Sequence, residues 1–451
     1  MNAPAVTVRR RLRPGVYELG DARGTLALAA PPDTAVLGTL SPGARTALRA
    51  LGGRETTEDE LAADATNPAE RAALLTALDR GWVIRTLHAG GHDLCTTVPF
   101  GPRRPHGPAP APGRPRALSR FARVRRDGDD IILESPLADS RIVVHHGDVL
   151  RVLHDPEPAA RSGAAAAAVA GELAAEGFLV DREAEEADFT ALQWAPHELD
   201  FHVRSRAGRR TRAAGTGFGG TRWAKGRFAP LPERRPPYPG RVLALPAADL
   251  DRAARTDPSL TRVLEDRRSH RRHGTADPLT RDRLGEFLFR TARARRRDGE
   301  GPPVGRPYPC GGGLYEMEVY VAAGQVRGVP RDFYHYDPHD HALVATGAPP
   351  RTVDRLLRDA DAATGGAGRP QALLVLAARF GRLMWKYEAM GYALVLKHVG
   401  VVQQVMYSVA TAMGLAPCAL GSGDIDLFAR ATGCDPVEES SVGEFCLGSL
   451  P

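Results

Sequence analysis

RLMWKYEAMGYALVLKHVGVVQQVMYSVATAMGLAPCALGSG, residues 382–423, is the stretch on which the reading of this chain turns. Apolar residues occupy several faces of a helical projection through Val401, Val402, Val405, Met406 and Val409, so the pattern predicts one long, buried helix. Gly414 predicts its end, and Gly421, Ser422 and Gly423 predict a turn beyond it. Lys386 and Tyr387 lie near its start. The chain has 60 Lys plus Arg, yet only three are lysines, Lys225, Lys386 and Lys397. Lysine loses its proton when desolvated and arginine does not. A lysine in an apolar segment is therefore a candidate base.

The bulk numbers bound the rest. At 451 residues the chain exceeds one ordinary domain, and roughly two to four are expected. The formal charge of +6 is spread out, with arginine clusters at 9–13, 209–212, 267–272 and 293–297. A solvated arginine-rich surface and a polyanionic partner both fit that distribution. The five cysteines, Cys95, Cys310, Cys418, Cys434 and Cys446, are odd in number and form no C-x-x-C pair. Neither a disulfide framework nor a metal site is expected. The first residues lack the apolar core of a signal peptide, and the alanine-rich run 164–170 is too short to span a bilayer. A soluble, cytoplasmic protein is expected.

The first half reads as two similar modules. In residues 13–95, strands at 15–20 and 25–29 precede three helices. Ser41 opens the first with Pro42 at its first position. Thr57 and Glu60 form a capping box for the second. Asn67 and Pro68 open the third, which runs to Asp79. Residues 101–116, GPRRPHGPAPAPGRPR, are a Pro/Gly/Arg linker that cannot build a core. Beyond it, strands at 130–133 and 141–145 and helices at 148–153 and 159–175 follow. LLTALDRGWVI returns about a hundred residues later as AGELAAEGFLV, a degenerate repeat of helix, glycine, aromatic and aliphatic. The expected organisation is a winged-helix-like module over 1–100, the linker 101–116, a second such module over 117–204, and a linker over 205–250. The helix at 67–79 carries Glu70, Arg71 and Asp79 and the one at 159–175 is mostly alanine, so neither reads as a base reader. Structural, dimerising and peptide-binding roles remain ahead of DNA binding. His197 and His202 have no third ligand at helical spacing and read as surface or packing residues.

In the second half a short helix at 260–266 runs into Arg267, Arg268, Ser269, His270 and Arg271. Paired guanidinium donors and a hydroxyl suit a phosphate as well as they suit a solvated loop. The turn Pro309, Cys310, Gly311, Gly312, Gly313 leads into a strand at 316–322, where glycines permit close backbone approach. The dinucleotide-binding spacing is absent. A hairpin pairs 332–336 with 342–345, and residues 371–378, QALLVLAA, suit a central buried strand. A helix at 350–362, a short one at 424–432 and a last strand at 442–448 complete the pattern.

Residues 255–451 resemble the nitroreductase-like flavoenzymes, most closely the azoline dehydrogenases of thiazole/oxazole-modified peptide biosynthesis (SagB/McbC type). The residues that carry this are Arg267-Arg268-Ser269-x-Arg271, the run from Pro309 to Tyr315, the hairpin from Phe333 to Pro338, Lys386-Tyr387 with Gly391-Tyr392, and Gly400 with Gln404. Gly414-Leu415, Gly421-Ser422-Gly423-Asp424 and Glu444-Phe445-Cys446-Leu447-Gly448 complete the set. Cys310 departs from the commoner serine. The resemblance implies an α+β fold, with a mainly antiparallel sheet flanked by helices in an FMN-binding dehydrogenase domain at 251–451, and a homodimer. It implies FMN phosphate at Arg267, Arg268, Ser269 and Arg271, and the flavin ring against Pro309, Cys310, Gly311, Gly312, Gly421 and Ser422, with Gln404 nearby. Lys386 and Tyr387 would do the proton chemistry on a peptide azoline. The front modules would then recognise precursor peptide or cyclodehydratase components. An NAD(P)H-dependent FMN reductase of small nitroaromatics or quinones, an inactive peptide-binding scaffold and a flavin-sensing DNA-binding regulator are the alternatives. Adjacent helical residues point about 100° apart, so a continuous helix would separate Lys386 from Tyr387.

Overall fold

Period-two and period-3.6 apolar patterns alternate along the chain. The computed structural model resolves them into two units, residues 1–216 and 217–451. It describes residues 5–64, 67–102, 115–208, 210, 218–295 and 305–451.

The first unit is built on a seven-stranded antiparallel sheet. Its order is Thr56–Thr57, Thr7–Leu12, Val83–Ala89, His92–Pro99, Ser140–Val144, Asp130–Glu134, Arg123–Asp127. Gly90 and Gly91, at φ of 60° and 83°, make the tight turn that folds Val83–Ala89 back onto His92–Pro99. The two expected modules are therefore one sheet. Cys95, Thr96 and Thr97 pair with Val144, Val143 and Ile142, so backbone hydrogen bonds join the segments on either side of the linker. Of that linker, 103–114 lies outside the described residues, as do parts of the arginine clusters at 209–212 and 293–297.

Ser41 and Asn67 cap helices Pro42–Gly53 and Pro68–Leu78 as their sequence predicts. The helical run expected at 159–175 is divided by Ser162 and Gly163 into Pro156–Arg161 and Ala164–Ala175. Both copies of the repeat end by burying their aromatic, Trp82 and Phe178. The strands that follow diverge, because Val83–Ala89 enters the large sheet and Leu179–Asp181 pairs only with Arg116–Leu118. Buried Arg85 donates to Glu172 and Glu176 on helix Ala164–Ala175 and its C-cap, fastening sheet to helix.

The second unit carries another seven-stranded, wholly antiparallel sheet. Its order is Val242–Ala244, Ala342–Ala345, Asp332–Asp337, Met317–Ala323, Ala372–Arg379, Glu439–Ser449, Leu415–Leu420. The apolar run near 371–378 is its central strand, buried along its length. Alternation along Met317–Ala323 sends Val319 and Val321 to one face and Tyr320 and Ala322 to the other. Helices Arg281–Ala292 and Gly391–Ala412 cover the first face through Leu284, Phe287, Val395, Val402 and Met406. Pro350–Ala363 and Ile425–Thr432 cover the second through Val353, Leu357, Leu427 and Phe428. This is the expected α+β architecture.

Three expectations need correction. Residues 218–250 are not all linker: Gly219–Gly220 pairs with Tyr387–Glu388, and Val242–Ala244 adds an edge strand to the sheet. The second unit therefore begins near 217 rather than 251. Beyond Gly414 the chain forms strand Leu415–Leu420 before the glycine turn. The long helix is also broken. Phe380–Met384 ends in a turn, Tyr387–Glu388 is extended, and Gly391–Ala412 starts afresh over 22 residues. That last helix is long and apolar enough to cross a membrane by length and composition, yet its Val395, Val399, Val402 and Met406 pack on the sheet.

Glu134 offers a test of the first unit. Burial works against its charge, but hydrogen bonds from Arg204, Arg125 and Arg123 outweigh it and hold the carboxyl at about 2 instead of 4.5. Such a group contributes stability above its ordinary value and loses it as pH falls toward the depressed one. Glu134→Gln is expected to cost on the order of 3 kcal/mol at neutral pH. It should also flatten the acid limb of the unfolding midpoint, measured by circular dichroism against pH.

Candidate active site

Three glycines begin the site. Gly311–Gly313 forms a single tight turn, and Gly312 adopts a φ of 64°, which favours glycine. A Cβ on Gly312 would stand 2.5 Å from Lys386 Nζ and 2.8 Å from Tyr387 Oη. The tips of both side chains therefore converge on one backbone position. Lys386 Nζ lies 3.4 Å from the Gly312 carbonyl and 5.7 Å from the Tyr387 ring centroid.

The break in the helix makes this possible. Lys386 sits in the turn and Tyr387 opens the short strand, whose partner is Gly219–Gly220. Thr221 completes the clamp: its N–H donates to the Lys386 carbonyl at 3.0 Å and its hydroxyl to the Met384 carbonyl at 3.0 Å. Ala389 then takes a φ of 62°, and Gly391, with no room for a Cβ against Met384 Sδ, restarts the helix.

The glycine turn is gripped at both ends. Arg382 donates to the Leu314 carbonyl at 2.8 Å. The Gly311 N–H donates to His398 Nε2 at 2.9 Å, and His398 Nδ1 is 2.6 Å from Glu316 Oε1. The Cys310 thiol donates to Glu316 Oε2 at 3.1 Å. Burial and the adjacent Glu316 charge push that thiol up to about 12, so it is a hydrogen-bond donor rather than a nucleophile. Burial would raise Glu316 too, but His398 outweighs it and holds the carboxyl below its ordinary value. Cys310, Glu316 and His398 are metal-ligand types gathered within 4.8 Å. Both His398 ring nitrogens are engaged in hydrogen bonds, to Gly311 and to Glu316.

The expected anion-binding residues lie in the loop after helix Leu260–Asp266, where Arg267 and Ser269 meet Tyr407 of the long helix. Arg267 lies over the Tyr407 ring at 5.4 Å, and Ser269 Oγ is 2.8 Å from Tyr407 Oη. Tyr407 Oη accepts from the Ala419 N–H at 2.8 Å, and the His270 N–H donates to the Pro417 carbonyl at 2.7 Å. These bonds staple the arginine loop to Gly391–Ala412 and Leu415–Leu420. Arg268, Ser269 and Arg271 are exposed, and among the described residues Arg267, Arg268 and Arg271 form no ion pair. Burial, and secondarily the Arg268 charge, hold His270 below its ordinary value.

Gly421 and Ser422 line a cavity of about 250 Å³ with Val399, Gln403, Ser441 and Glu444. Gln403 Nε2 donates to the Glu444 carbonyl at 3.3 Å, whereas Gln404 is exposed and bonds Ser408. The expected Gln404 therefore stands one residue from the glutamine that faces this cavity. His398, Glu316 and Gln403 were not singled out from sequence. For His398 the available signal was a histidine within an apolar helical run.

Known proteins add a family context. Residues 264–449 match the family model described as the nitroreductase family, and residues 116–211 match that described as cyanobactin oxidase ThcOx. The nitroreductase-family protein MJ1384 of Methanocaldococcus jannaschii is 29% identical over 160 residues, 36% of this chain and 77% of that protein. The microcin B17-processing protein McbC of Escherichia coli is 33% identical over 118 residues, 25% of this chain and 42% of that protein. Among solved structures, the E. coli microcin synthetase McbBCD complex with truncated pro-MccB17 bound aligns at a TM-score of 0.34 and 18% identity. That alignment covers 56% of this chain and 91% of the matched one.

Glu444 provides a check on the cavity. Burial, partly offset by a hydrogen bond from Ser441, pushes its carboxyl from 4.5 up to about 7. The unfolded chain ionises near the lower value while the native state keeps its proton, so stability falls as pH rises from the one to the other. The loss is on the order of 3 kcal/mol. Glu444→Gln should remove this slope, read as the thermal midpoint across that pH window.

Proposed function

We propose that this chain, with a nitroreductase-family oxidoreductase domain in its second unit, oxidises azoline rings of a ribosomally made peptide to azoles. Thiazoline to thiazole is the primary reaction, and oxazoline to oxazole the second reaction of the same class. The observation that carries the reading is the convergence of Lys386 Nζ and Tyr387 Oη on Gly312. Removing two hydrogens from the ring requires a base for the proton and an acceptor for the hydride.

The residues present fit FMN. Arg267, Arg268, Ser269 and Arg271 offer charged and neutral donors for its phosphate. Pro309, Cys310, Gly311 and Gly312 offer a turn close to the proton-handling pair, while Gly421 and Ser422 border a cavity and Gln404 adds a polar group on the helix. FMN, when bound, supplies the two-electron acceptor. Lys386 takes the ring proton at Nζ. Tyr387 Oη donates to the ring heteroatom and orients it. Gly312, lacking a side chain, leaves the space in which both tips meet.

The similarity to McbC and the ThcOx-model match support a peptide substrate and a place among cyclodehydratase components. For the first unit we favour recognition of the precursor peptide. A homodimer is supported by the apolar helix Gly391–Ala412, which leaves Tyr392 and Leu396 exposed at 41% and 42%.

The test is mass spectrometry of an azoline peptide incubated with purified protein, FMN and air. Two hydrogens should be lost per ring. Lys386→Ala is expected to lower turnover by about 10²-fold or more, the scale of general acid–base catalysis, and Tyr387→Phe by less. Full activity in both variants would refute the assignment. NAD(P)H-driven reduction of nitroaromatics with no change in the peptide would favour a small-molecule reductase, and a colourless protein would favour a scaffold.

A further inference from the structure

Gly311 and Gly312 are neighbours that face different partners. A Cβ on Gly311 would lie 3.3 Å from His398 Nε2, and one on Gly312 would lie 2.5 Å from Lys386 Nζ. The histidine and the lysine are thus separated by a single peptide unit. The direction of each hydrogen bond along this path is set by chemistry. A backbone N–H can only donate, so His398 Nε2 must accept from Gly311. The ring proton is then on Nδ1 and points to the Glu316 carboxylate. Glu316 is fully buried and also receives the Cys310 thiol. The Gly312 carbonyl, on the next residue of the turn, receives the Lys386 amine.

We propose that His398, its tautomer locked by Glu316, is the positioning residue for Lys386, acting through the Gly311–Gly312 backbone. This rests on the reading of Lys386 as the base. Glycines hold no conformation by themselves. Gly312 and Gly313 both have positive φ, so the turn needs an external hold to keep the Gly312 carbonyl beneath the amine. His398 is suited to this, because it is buried on the long helix that also lines the cavity at Gly421 and carries Tyr407.

Two substitutions separate this role from simple packing. Glutamine places its amide near Nε2 and keeps an acceptor for Gly311. Asparagine places its amide near Nδ1 and keeps a donor for Glu316 but leaves the turn unheld. Peptide oxidation by His398→Asn should show kcat lowered by about 10²-fold, the scale of a misplaced catalytic group, with KM little changed. His398→Gln should stay within about fivefold of the unaltered enzyme, the scale of one neutral hydrogen bond.

A second readout needs neither peptide nor flavin. With three lysines in the chain, acylation by acetic anhydride is readily mapped by mass spectrometry, with exposed Lys225 as internal reference. Lys386 labelling relative to Lys225 should rise in His398→Asn and stay unchanged in His398→Gln. Equal behaviour of the two variants, or the reverse order, overturns the proposal. If labelling follows the expected order while no azoline is oxidised, the positioning role stands and the proposed reaction falls. Should either variant fail to fold, nitrogen-15 NMR of the unaltered protein decides: His398 must be protonated on Nδ1, and an Nε2-protonated ring refutes the inference.

Discussion

Two residues of backbone pairing set the geometry on which the rest of the second unit depends. Gly219–Gly220 bonds to Tyr387–Glu388, and Thr221 bonds to Met384 and Lys386 beside it. Those bonds take the place of helical i→i−4 bonds over residues whose side chains would otherwise favour a helix. A short edge contact thereby stops one helix, turns the chain through an alanine of positive φ and lets another begin at Gly391. Without the interruption, consecutive side chains would diverge by about 100°. With it, an amine and a phenol meet over one glycine.

Helix Gly391–Ala412 then organises everything downstream. Its buried stripe, Val395, Val402 and Met406, seats it on the sheet. Successive turns offer His398 to the glycine loop, Gln403 to the cavity and Tyr407 to the arginine loop. One apolar stripe thus fixes the spacing of three polar contacts, because the helix can move only as a body. Packing and site geometry are coupled, and a change in the core stripe would reach all three contacts.

Much of this was legible beforehand. The short helix Leu260–Asp266, the hairpin strand Ala342–Ala345 and the apolar central strand are governed by local periodicity and appear where the pattern placed them. Strand Leu415–Leu420 was not legible, since a proline and two small residues hide its alternation and its existence depends on pairing with Glu439–Ser449. Strand Thr7–Leu12 was hidden by its arginines, which read as a charge cluster but pair with Val83–Ala89. Gln403 and Gln404 are indistinguishable by composition, and only the helix phase decides which of them faces the cavity.

The sequence by itself determined most of the helices and the central strands, the α+β class, the scarcity of lysine that marks Lys386, and the glycines that let backbone come close. These follow from local propensity and period, which depend on near neighbours. Tertiary structure alone decided that the two front segments share one sheet, that the long helix is broken, and that Lys386, Tyr387 and His398 meet at adjacent glycines. Each of those outcomes rests on hydrogen bonds between residues far apart in the chain, such as Thr221 with Lys386 and Gly311 with His398. No local pattern encodes such bonds, because they form only once the core has brought the segments together.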